Sequence, residues 1–198
     1  MSRRVPPLIA IRHTPVLGGQ GLCYGRSDLP VHARDVSDAA RRLRLALPDW
    51  PIASSPLARA RELAEATARA FRIEIAPARG VPPTPWPLAK ARADARRVRV
   101  DERLAELHFG QWESRPWDAI DRSALDAWAA DPAGFQMPEG ERYLDLEARV
   151  AAALEEHREP ALWFTHAGVI RALHHLVSGI EREEALRMPV PYATPVRF

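Results

Sequence analysis

The sequence predicts an α/β protein: a three-layer α/β/α sandwich around a mainly parallel sheet. Short apolar runs typical of buried strands alternate along the chain with segments whose apolar residues recur every three or four positions, as in helices. Such alternation is typical of domains in which helices cover both faces of a parallel sheet. The chain has 198 residues, which is enough for one substantial core and too few for two, so we expect a single domain over residues 1–198.

The first part of the chain contains two predicted strand–helix units. The apolar run at residues 8–11 predicts the first strand, and the run at residues 50–53 predicts the second. Each is followed by an apolar stripe at helical spacing: Val36, Ala40, Leu43 and Leu47, then Leu57, Ala60, Ala64 and Phe71. Pro56 marks the start of the second helix, because its missing N–H would have been unpaired in a first turn. Arg59 is therefore expected to project from that turn.

The remaining elements follow the same reasoning. Residues 98–100 predict a strand, and Ser123 is the expected N-cap of a helix that runs through Trp128. A loop at residues 138–140 precedes a helix beginning near Tyr143, with an apolar stripe of Leu146, Val150 and Leu154. The apolar run at residues 162–164 predicts a further buried strand, which a turn of small residues connects to a helix.

Composition excludes several classes of protein. The formal net charge is only +2, and the basic residues, all arginine except Lys90, are spread over the whole chain, so we expect no nucleic-acid surface. A single cysteine, Cys23, excludes an intramolecular disulfide, and it is expected to be a loop residue rather than a nucleophile. No apolar run is long enough to cross a membrane, and no secretory pattern is evident near Met1, so we expect a cytoplasmic protein with no membrane partner.

Two of the predicted strands end at a histidine. Arg12-His13-Thr14 directly follows the first strand, and Thr165-His166 follows the run at residues 162–164. The carboxyl ends of strands in open α/β sheets are where ligands bind, so the two histidines are expected to face one site. Arg12 and Arg59 suit phosphate there, because a guanidinium offers fixed, forked donors to its oxygens. A histidine beside an arginine can also be an ordinary structural residue, and the recurrence of the pattern favours the site.

The segment at residues 101–113 is rich in carboxylates and aromatic residues. A general acid could come from this segment, and Glu102, Glu106 and Glu113 fit the role almost equally well on the sequence alone. For Glu106 the alternative is an exposed loop carboxylate with no chemical role.

Four segments in this order resemble the histidine phosphatase superfamily, also called the phosphoglycerate mutase-like family. They contain Arg12-His13-Thr14, residues 53–60, residues 101–113 and residues 162–171. Within the superfamily the chain is most similar to the α-ribazole phosphatases of cobalamin biosynthesis, on residues 23–30, 109–113 and 125–128. The resemblance implies a phosphoglycerate mutase-like fold.

The resemblance also implies roles for individual residues. It makes His13 the nucleophile that takes the phosphoryl group, His166 the second histidine of the pocket, and Glu106 the general acid. Arg12, Arg59 and Thr14 would bind the phosphate. Neutral imidazole is a competent nucleophile near pH 7, so no metal or other cofactor is expected.

The predicted function is that of a metal-independent phosphomonoesterase with a phosphohistidine intermediate. Its substrate would be a small-molecule phosphomonoester, by resemblance α-ribazole 5′-phosphate or a related cobalamin precursor. A broad-specificity sugar or nucleotide phosphatase of the same fold is the first alternative, because fold does not fix substrate. A non-catalytic phospho-ligand binding protein is the second, and a mutase is disfavoured because we cannot place the additional basic residues it needs. The protein is expected to be a monomer or a homodimer.

The chain departs from the family pattern at three places. Thr14 replaces the usual glycine after Arg-His, and its N–H or hydroxyl could still reach a phosphate. Arg142 replaces the serine of a Gly-Glu-Ser segment and could meet an anionic substrate. The proline-rich stretch at residues 76–95 looks longer than usual, which predicts a surface excursion near the site entrance. Of the adjacent His174 and His175, we expect one to face the core and one to be exposed.

Overall fold

The computed structural model describes residues 5–72 and 98–198. The excursion predicted at residues 76–95 lies outside these ranges. Within them, five strands form one sheet: β1 (Leu8–Arg12), β2 (Ile52–Ser54), β3 (Arg99–Val100), β4 (Ala161–Thr165) and β5 (Pro195–Arg197). The strand order is β3-β2-β4-β1-β5, and all neighbours are parallel except β5, which pairs antiparallel with β1. The predicted mainly parallel sheet is confirmed.

Helices cover both faces of this sheet, as the fold class requires. They are α1 (Ala33–Ala46), α2 (Ala58–Arg72), α3 (Arg122–Ala130), α4 (Tyr143–Glu156), α5 (Ala167–Leu176) and α6 (Arg182–Arg187). Short 3₁₀ turns occur at Glu102–Leu104, Gly110–Trp112 and Trp117–Ala119.

Alternate side chains of β1 enter two separate hydrophobic cores, one on each face of the sheet. Ile9 and Ile11 pack with α1 and α2, whose buried residues include Leu43 and Leu63. On the other face Leu8 and Ala10 share a core with α4 and α5. Because successive side chains of a strand point to opposite faces, a continuous apolar run fills both halves. The three-layer sandwich is therefore confirmed.

Several predicted boundaries differ from the structure. The second strand is Ile52–Ser54 rather than residues 50–53, and just before it the Pro51 carbonyl accepts from Leu162 N of β4 at 2.8 Å. Helix α2 begins at Ala58, two residues after Pro56, and the Asp28 carboxylate accepts from Ala58 N at 2.8 Å. The helix start is thus capped by a side chain from a distant loop, although Arg59 does lie in the first turn as expected.

The predicted N-cap at Ser123 is wrong. Asp121 is the N-cap of α3, and its carboxylate accepts from Ala124 N at 3.1 Å. Aspartate and serine are similarly good N-caps, so the sequence could not separate two candidates two residues apart. Helix α3 also extends beyond Trp128 to Ala130. The helix predicted near Tyr143 begins at that residue.

No helix in the two described ranges is long and apolar enough to span a bilayer.

Candidate active site

The ends of three neighbouring parallel strands form the centre of the site. Arg12 pairs in register with Thr165, so His13 and His166 are the next residues of adjacent strands. His13 N donates to Thr165 O at 3.1 Å, and the two imidazole rings are 5.1 Å apart. On the other side of β4, Ser55 N donates to Phe164 O at 2.9 Å. The sheet therefore places His13, His166 and Ser55 at one edge, as predicted for the two histidines.

Hydrogen bonds fix the tautomer of His13. Its Nδ1 lies 2.6 Å from Thr14 O, and Arg59 Nε donates to its Nε2 at 3.2 Å. A carbonyl oxygen only accepts and a guanidinium only donates, so Nδ1 carries the ring proton and Nε2 presents its lone pair. Burial, together with the charges of Arg59 and Arg12, lowers the pKa of His13 to about 3, against the opposing effect of the Thr14 carbonyl. His13 is therefore a neutral imidazole near pH 7.

Arg59 is almost completely buried and connects His13 to the loop at residues 25–27. Besides His13, its guanidinium donates to Ser27 O at 2.8 Å and to Gly25 O. The sequence predicted the position of Arg59 in the first turn of α2 but not these loop carbonyls, which fix its orientation.

Glu113 holds the same loop from the other side. Its carboxylate accepts from the N–H groups of Gly25, Arg26 and Ser27 at 2.8–3.0 Å. Burial would raise the pKa of Glu113, but hydrogen bonds from the Ser27 hydroxyl and these N–H groups outweigh it and lower the pKa. Glu113 is thus an ionised carboxylate that supports the loop.

Three buried polar atoms at the strand ends have no hydrogen-bond partner among the described residues: Arg12 Nε, Thr14 Oγ1 and His166 Nδ1. The rest of the Arg12 guanidinium is held in place, since one terminal nitrogen donates to Val190 O at 2.7 Å and its carbon lies 3.8 Å from the Tyr192 ring centre. Buried polar groups are nearly always paired in proteins. Three unpaired groups at one edge indicate a ligand-binding position.

His166 is completely buried at the N-cap of α5. Its Nε2 lies 2.7 Å from the Ser55 hydroxyl. Burial, followed by the charge of Arg59, lowers the pKa of His166 well below its ordinary value, so this ring is also neutral near pH 7. Ser55 is a polar neighbour that the sequence analysis did not single out.

Of the three candidate acids, Glu106 lines the large cavity that lies beside the strand ends. Its two oxygens accept from Gly168 N, each at 3.2 Å, and one accepts from Leu107 N at 3.0 Å. A Cβ at position 168 would lie 2.3 Å from Glu106 Oε1, so glycine leaves room for this carboxylate at the start of α5. Glu102 is exposed on the 3₁₀ turn Glu102–Leu104. The Glu113 carboxylate is already hydrogen-bonded to the N–H groups of the loop at residues 25–27. The geometry therefore favours Glu106.

An ion pair that the sequence analysis missed fixes the segment bearing Glu106. Arg149 donates to the carbonyl oxygens of Arg103, Ala105 and Glu106 at 2.7–3.1 Å, and to Glu141 at 2.7 Å. Glu141 also accepts from His108 N at 3.0 Å. The signal in the sequence was an arginine beside Leu146 and Val150, on the buried side of α4.

Beside these groups lies a cavity of about 780 Å³ with two kinds of wall. Its basic residues are Arg12, Arg171, Arg182 and Arg187, and its aromatic residues are Tyr24, Phe109, Trp117, Trp128 and Tyr143. Trp117 and Trp128 are stacked, with ring centres 5.7 Å apart and planes only 4° from parallel, and the Phe109 ring is nearly perpendicular to both. The lining thus offers arginines for an anion and aromatic rings for an apolar, flat group, and it also includes the carboxylates Glu106, Asp131 and Glu183.

The other residues named from the sequence lie outside this arrangement. Arg142 does not line the cavity and donates to Asp145 at 2.7 and 3.0 Å across the first turn of α4. Cys23 is buried, which with the nearby Glu113 charge raises its pKa to about 12, as expected for an unreactive thiol. The expectation for the adjacent histidines is wrong, because both are half-buried: His174 packs on Phe198, and His175 approaches Ile180 O.

A mainly parallel α/β sheet with two histidines and two arginines at its edge is the arrangement expected of a histidine phosphatase. Comparison with known families agrees. Residues 85–198 match the model of the histidine phosphatase superfamily (branch 1). The chain belongs to this superfamily.

Solved structures of the same fold cover almost the whole chain. It is 31% identical to phosphoglycerate mutase from Thermus thermophilus, with a TM-score of 0.67 over 96% of this chain and 91% of that one. It is 21% identical to "a putative alpha-ribazole-5'-P phosphatase" from Escherichia coli, with a TM-score of 0.72 over 98% and 90% of the two chains. At that identity the second likeness supports the fold alone.

A curated relative is matched over a shorter stretch. The protein named "Putative phosphoserine phosphatase 2" from Hydrogenobacter thermophilus is 31% identical over 91 residues. The match covers 42% of this chain and 45% of the relative, so the chain spans less than half the length of that protein. The superfamily comprises phosphatase-like and mutase-like members, and their reactions differ in where the phosphoryl group goes.

Proposed function

We propose that the protein is a metal-independent phosphomonoesterase that transfers the phosphoryl group of its substrate to His13 Nε2. The observation that carries the proposal is the set of unpaired buried groups around His13: Arg12 Nε, Thr14 Oγ1 and His166 Nδ1. Phosphate oxygens are acceptors and would pair with donors at these positions. Phosphoryl transfer requires mainly positioning and positive charge, which the arginines supply here.

In the first step the lone pair of Nε2 forms a bond to phosphorus, and the ester P–O bond breaks. The leaving oxygen takes a proton from the Glu106 carboxyl, so it departs as an alcohol. Attack requires Arg59 to give up its hydrogen bond to Nε2, and the freed Nε–H can then donate to a phosphate oxygen while the terminal nitrogens stay on the loop carbonyls.

In the second step Glu106, now a carboxylate, accepts a proton from water. The water oxygen bonds to phosphorus, the N–P bond breaks, and inorganic phosphate leaves. His13 regains its lone pair, and Glu106 regains its proton. Neutral His13 and a positioned carboxylate thus suffice for both steps.

The aromatic wall favours a substrate with a flat, apolar group attached to its phosphorylated sugar. α-Ribazole 5′-phosphate has an aromatic base on a ribose, and its base would stack against Phe109, Trp117 and Trp128 beside the phosphate position. The Escherichia coli neighbour is named as a putative phosphatase of this substrate, but that likeness supports the fold alone, so the choice rests on the aromatic lining. A sugar phosphate without a base would leave this wall unused.

The proposal is tested with a panel of phosphomonoesters: α-ribazole 5′-phosphate, a purine nucleotide, glucose 6-phosphate and O-phosphoserine. We expect kcat/KM to be highest for α-ribazole 5′-phosphate and lowest for the two substrates without a base, and activity to survive EDTA. Equal activity on all four would favour the broad-specificity alternative, and no turnover of any would favour a binding protein.

A mutase is the second candidate, because Arg171 and Arg187 reach the cavity and a phosphoglycerate mutase is among the similar structures. Incubation with 3-phosphoglycerate distinguishes the two reactions, since a mutase yields the 2-isomer and a phosphatase yields inorganic phosphate.

A further inference from the structure

The Ser55 hydroxyl lies between the start of α2 and the second histidine. Ser55 is completely buried, its Oγ accepts from Leu57 N at 3.2 Å, and it lies 2.7 Å from His166 Nε2. These are the partners of the hydroxyl among the residues that the structure describes. The hydroxyl has one proton to donate, and the Leu57 N–H can only donate to it.

Counting protons separates the two neutral forms of His166. If Nε2 carried the ring proton, Ser55 Oγ would accept two N–H groups, and its own proton would be buried without an acceptor. The Nδ1 lone pair would be unpaired as well. If Nδ1 carries the proton, the Ser55 hydroxyl donates to Nε2, and the Nδ1–H is the one group left without a partner. Because burying unpaired polar groups is unfavourable, the second form is favoured.

We propose that Ser55 is a positioning residue that fixes His166 in the form protonated at Nδ1, leaving a buried N–H donor for an oxygen of the transferring phosphoryl group. The proton placement stands on the geometry alone, whereas its effect on catalysis rests on the proposed function. Arg12 Nε and Thr14 Oγ1 are the other unpaired groups at this edge, so the Nδ1–H completes a set of buried groups able to donate.

The two pocket histidines then carry their protons on the same ring atom by different means. Thr14 O accepts the Nδ1 proton of His13, which leaves Nε2 free for attack. The Ser55 hydroxyl instead satisfies Nε2 of His166, which leaves Nδ1–H free to donate. One ring therefore presents a lone pair and the other a proton.

The placement is measured directly by NMR of protein labelled with ¹⁵N in its histidines, with the His166 signals assigned by their loss in His166→Gln. We expect a protonated Nδ1 and an unprotonated Nε2 for His166 in the unmodified protein. Ser55→Ala should move population to the Nε2-protonated form, and Ser55→Thr, which keeps a hydroxyl, should restore the original pattern. The matched control is Ser54→Ala, since Ser54 is equally buried but its hydroxyl donates to Ser55 O at 3.0 Å.

Single-turnover kinetics give the second readout. Ser55→Ala should slow phosphoenzyme formation roughly tenfold, about the effect of losing one well-placed hydrogen bond, with KM little changed. Ser54→Ala should leave the rate near that of the unmodified protein, and Ser55→Thr should recover most of the lost rate.

An Nε2-protonated His166 in the unmodified protein, or the same proton placement with and without the Ser55 hydroxyl, would overturn the proposal. A purely structural role for Ser55 would lower the stability of Ser55→Ala and leave the ¹⁵N pattern unchanged, which also overturns it. If instead the pattern changes as expected and the unmodified protein never forms a phosphoenzyme, Ser55 still fixes the proton, and the proposed function is the part that fails.

Discussion

His13 and Glu106 are the residues on which the proposed chemistry depends, and their surroundings suit different tasks. His13 is 2% exposed and neutral, with its lone pair directed to Arg59. Glu106 lies on the cavity wall and is held through its oxygens by two backbone N–H groups. The proposed reaction needs a neutral nucleophile and an acid that the leaving group can reach, and these surroundings suit His13 and Glu106 to those tasks.

Replacing His13 tests the nucleophile. During turnover the unmodified protein should accumulate a phosphohistidine that is labile to acid and stable to alkali, and His13→Ala should form none. Rapid quenching followed by mass spectrometry of the labelled peptide measures it. Full activity in His13→Ala would mean that water attacks the substrate directly.

Replacing Glu106 tests the acid, because a general acid matters in proportion to how strongly the leaving group needs a proton. Glu106→Gln should slow phosphoenzyme formation from an alkyl phosphate by roughly 10²–10⁴-fold, and much less from p-nitrophenyl phosphate, whose leaving group is stable without a proton. Single-turnover rates with both substrates measure the difference.

Glu102→Gln and Glu113→Gln are the matched controls for this dependence on the leaving group. Glu102 is exposed and Glu113 supports a loop, so neither change should affect the alkyl substrate selectively. Equal losses on both substrates in Glu106→Gln, or a selective loss in Glu113→Gln, would identify a different acid.

At the scale of elements, the sequence predicted the strand ends better than the contacts between distant segments. His13 and His166 could be placed at one edge because parallel strands share their direction. Strand β5 was not predicted, because Pro195–Arg197 is a short segment whose pairing with β1 joins opposite ends of the chain. Arg149 and the aromatic wall were missed for the same reason, since their positions depend on tertiary contacts without a local pattern.

Removing Arg149 should release the segment that bears Glu106. Arg149→Met removes the close partner of the mostly buried Glu141, which keeps only the His108 N–H and the Arg26 guanidinium at 3.6 Å. It also leaves three backbone carbonyls without their donor, so it should cost up to about 3 kcal/mol of unfolding free energy. Arg142→Met is the control: this residue, on an adjoining turn, forms an exposed pair with Asp145, so its loss should cost much less. Urea unfolding measures both, and equal costs would show that the Arg149 contacts do not hold the segment.

For the whole molecule, burying two neutral histidines links stability to pH. The folded-state pKa of His13 is lowered to about 3, so between roughly pH 3 and 6.5 the unfolded chain binds a proton that the folded one does not. Stability should therefore rise with pH across this window and fall on acidification. His166, whose pKa is also lowered, acts in the same direction.

This dependence can be measured as the urea unfolding free energy at pH 7 and pH 5. His13 alone should reduce it by about 2 kcal/mol at the lower pH, and His13→Asn should show a correspondingly smaller difference between the two pH values. An identical difference in His13→Asn and the unmodified protein would show that this histidine is not buried in its neutral form.

The hydrogen bond from Arg59 to His13 also bears on how the resting protein withstands damage. The lone pair that makes His13 reactive is occupied by an N–H donor, and both residues are buried at the floor of the strand ends. Acylating reagents that modify free imidazoles should therefore react slowly with this ring while Arg59 is in place. In the proposed mechanism the arriving phosphate accepts the Arg59 Nε–H instead, so the same chemical group that His13 attacks also frees its lone pair.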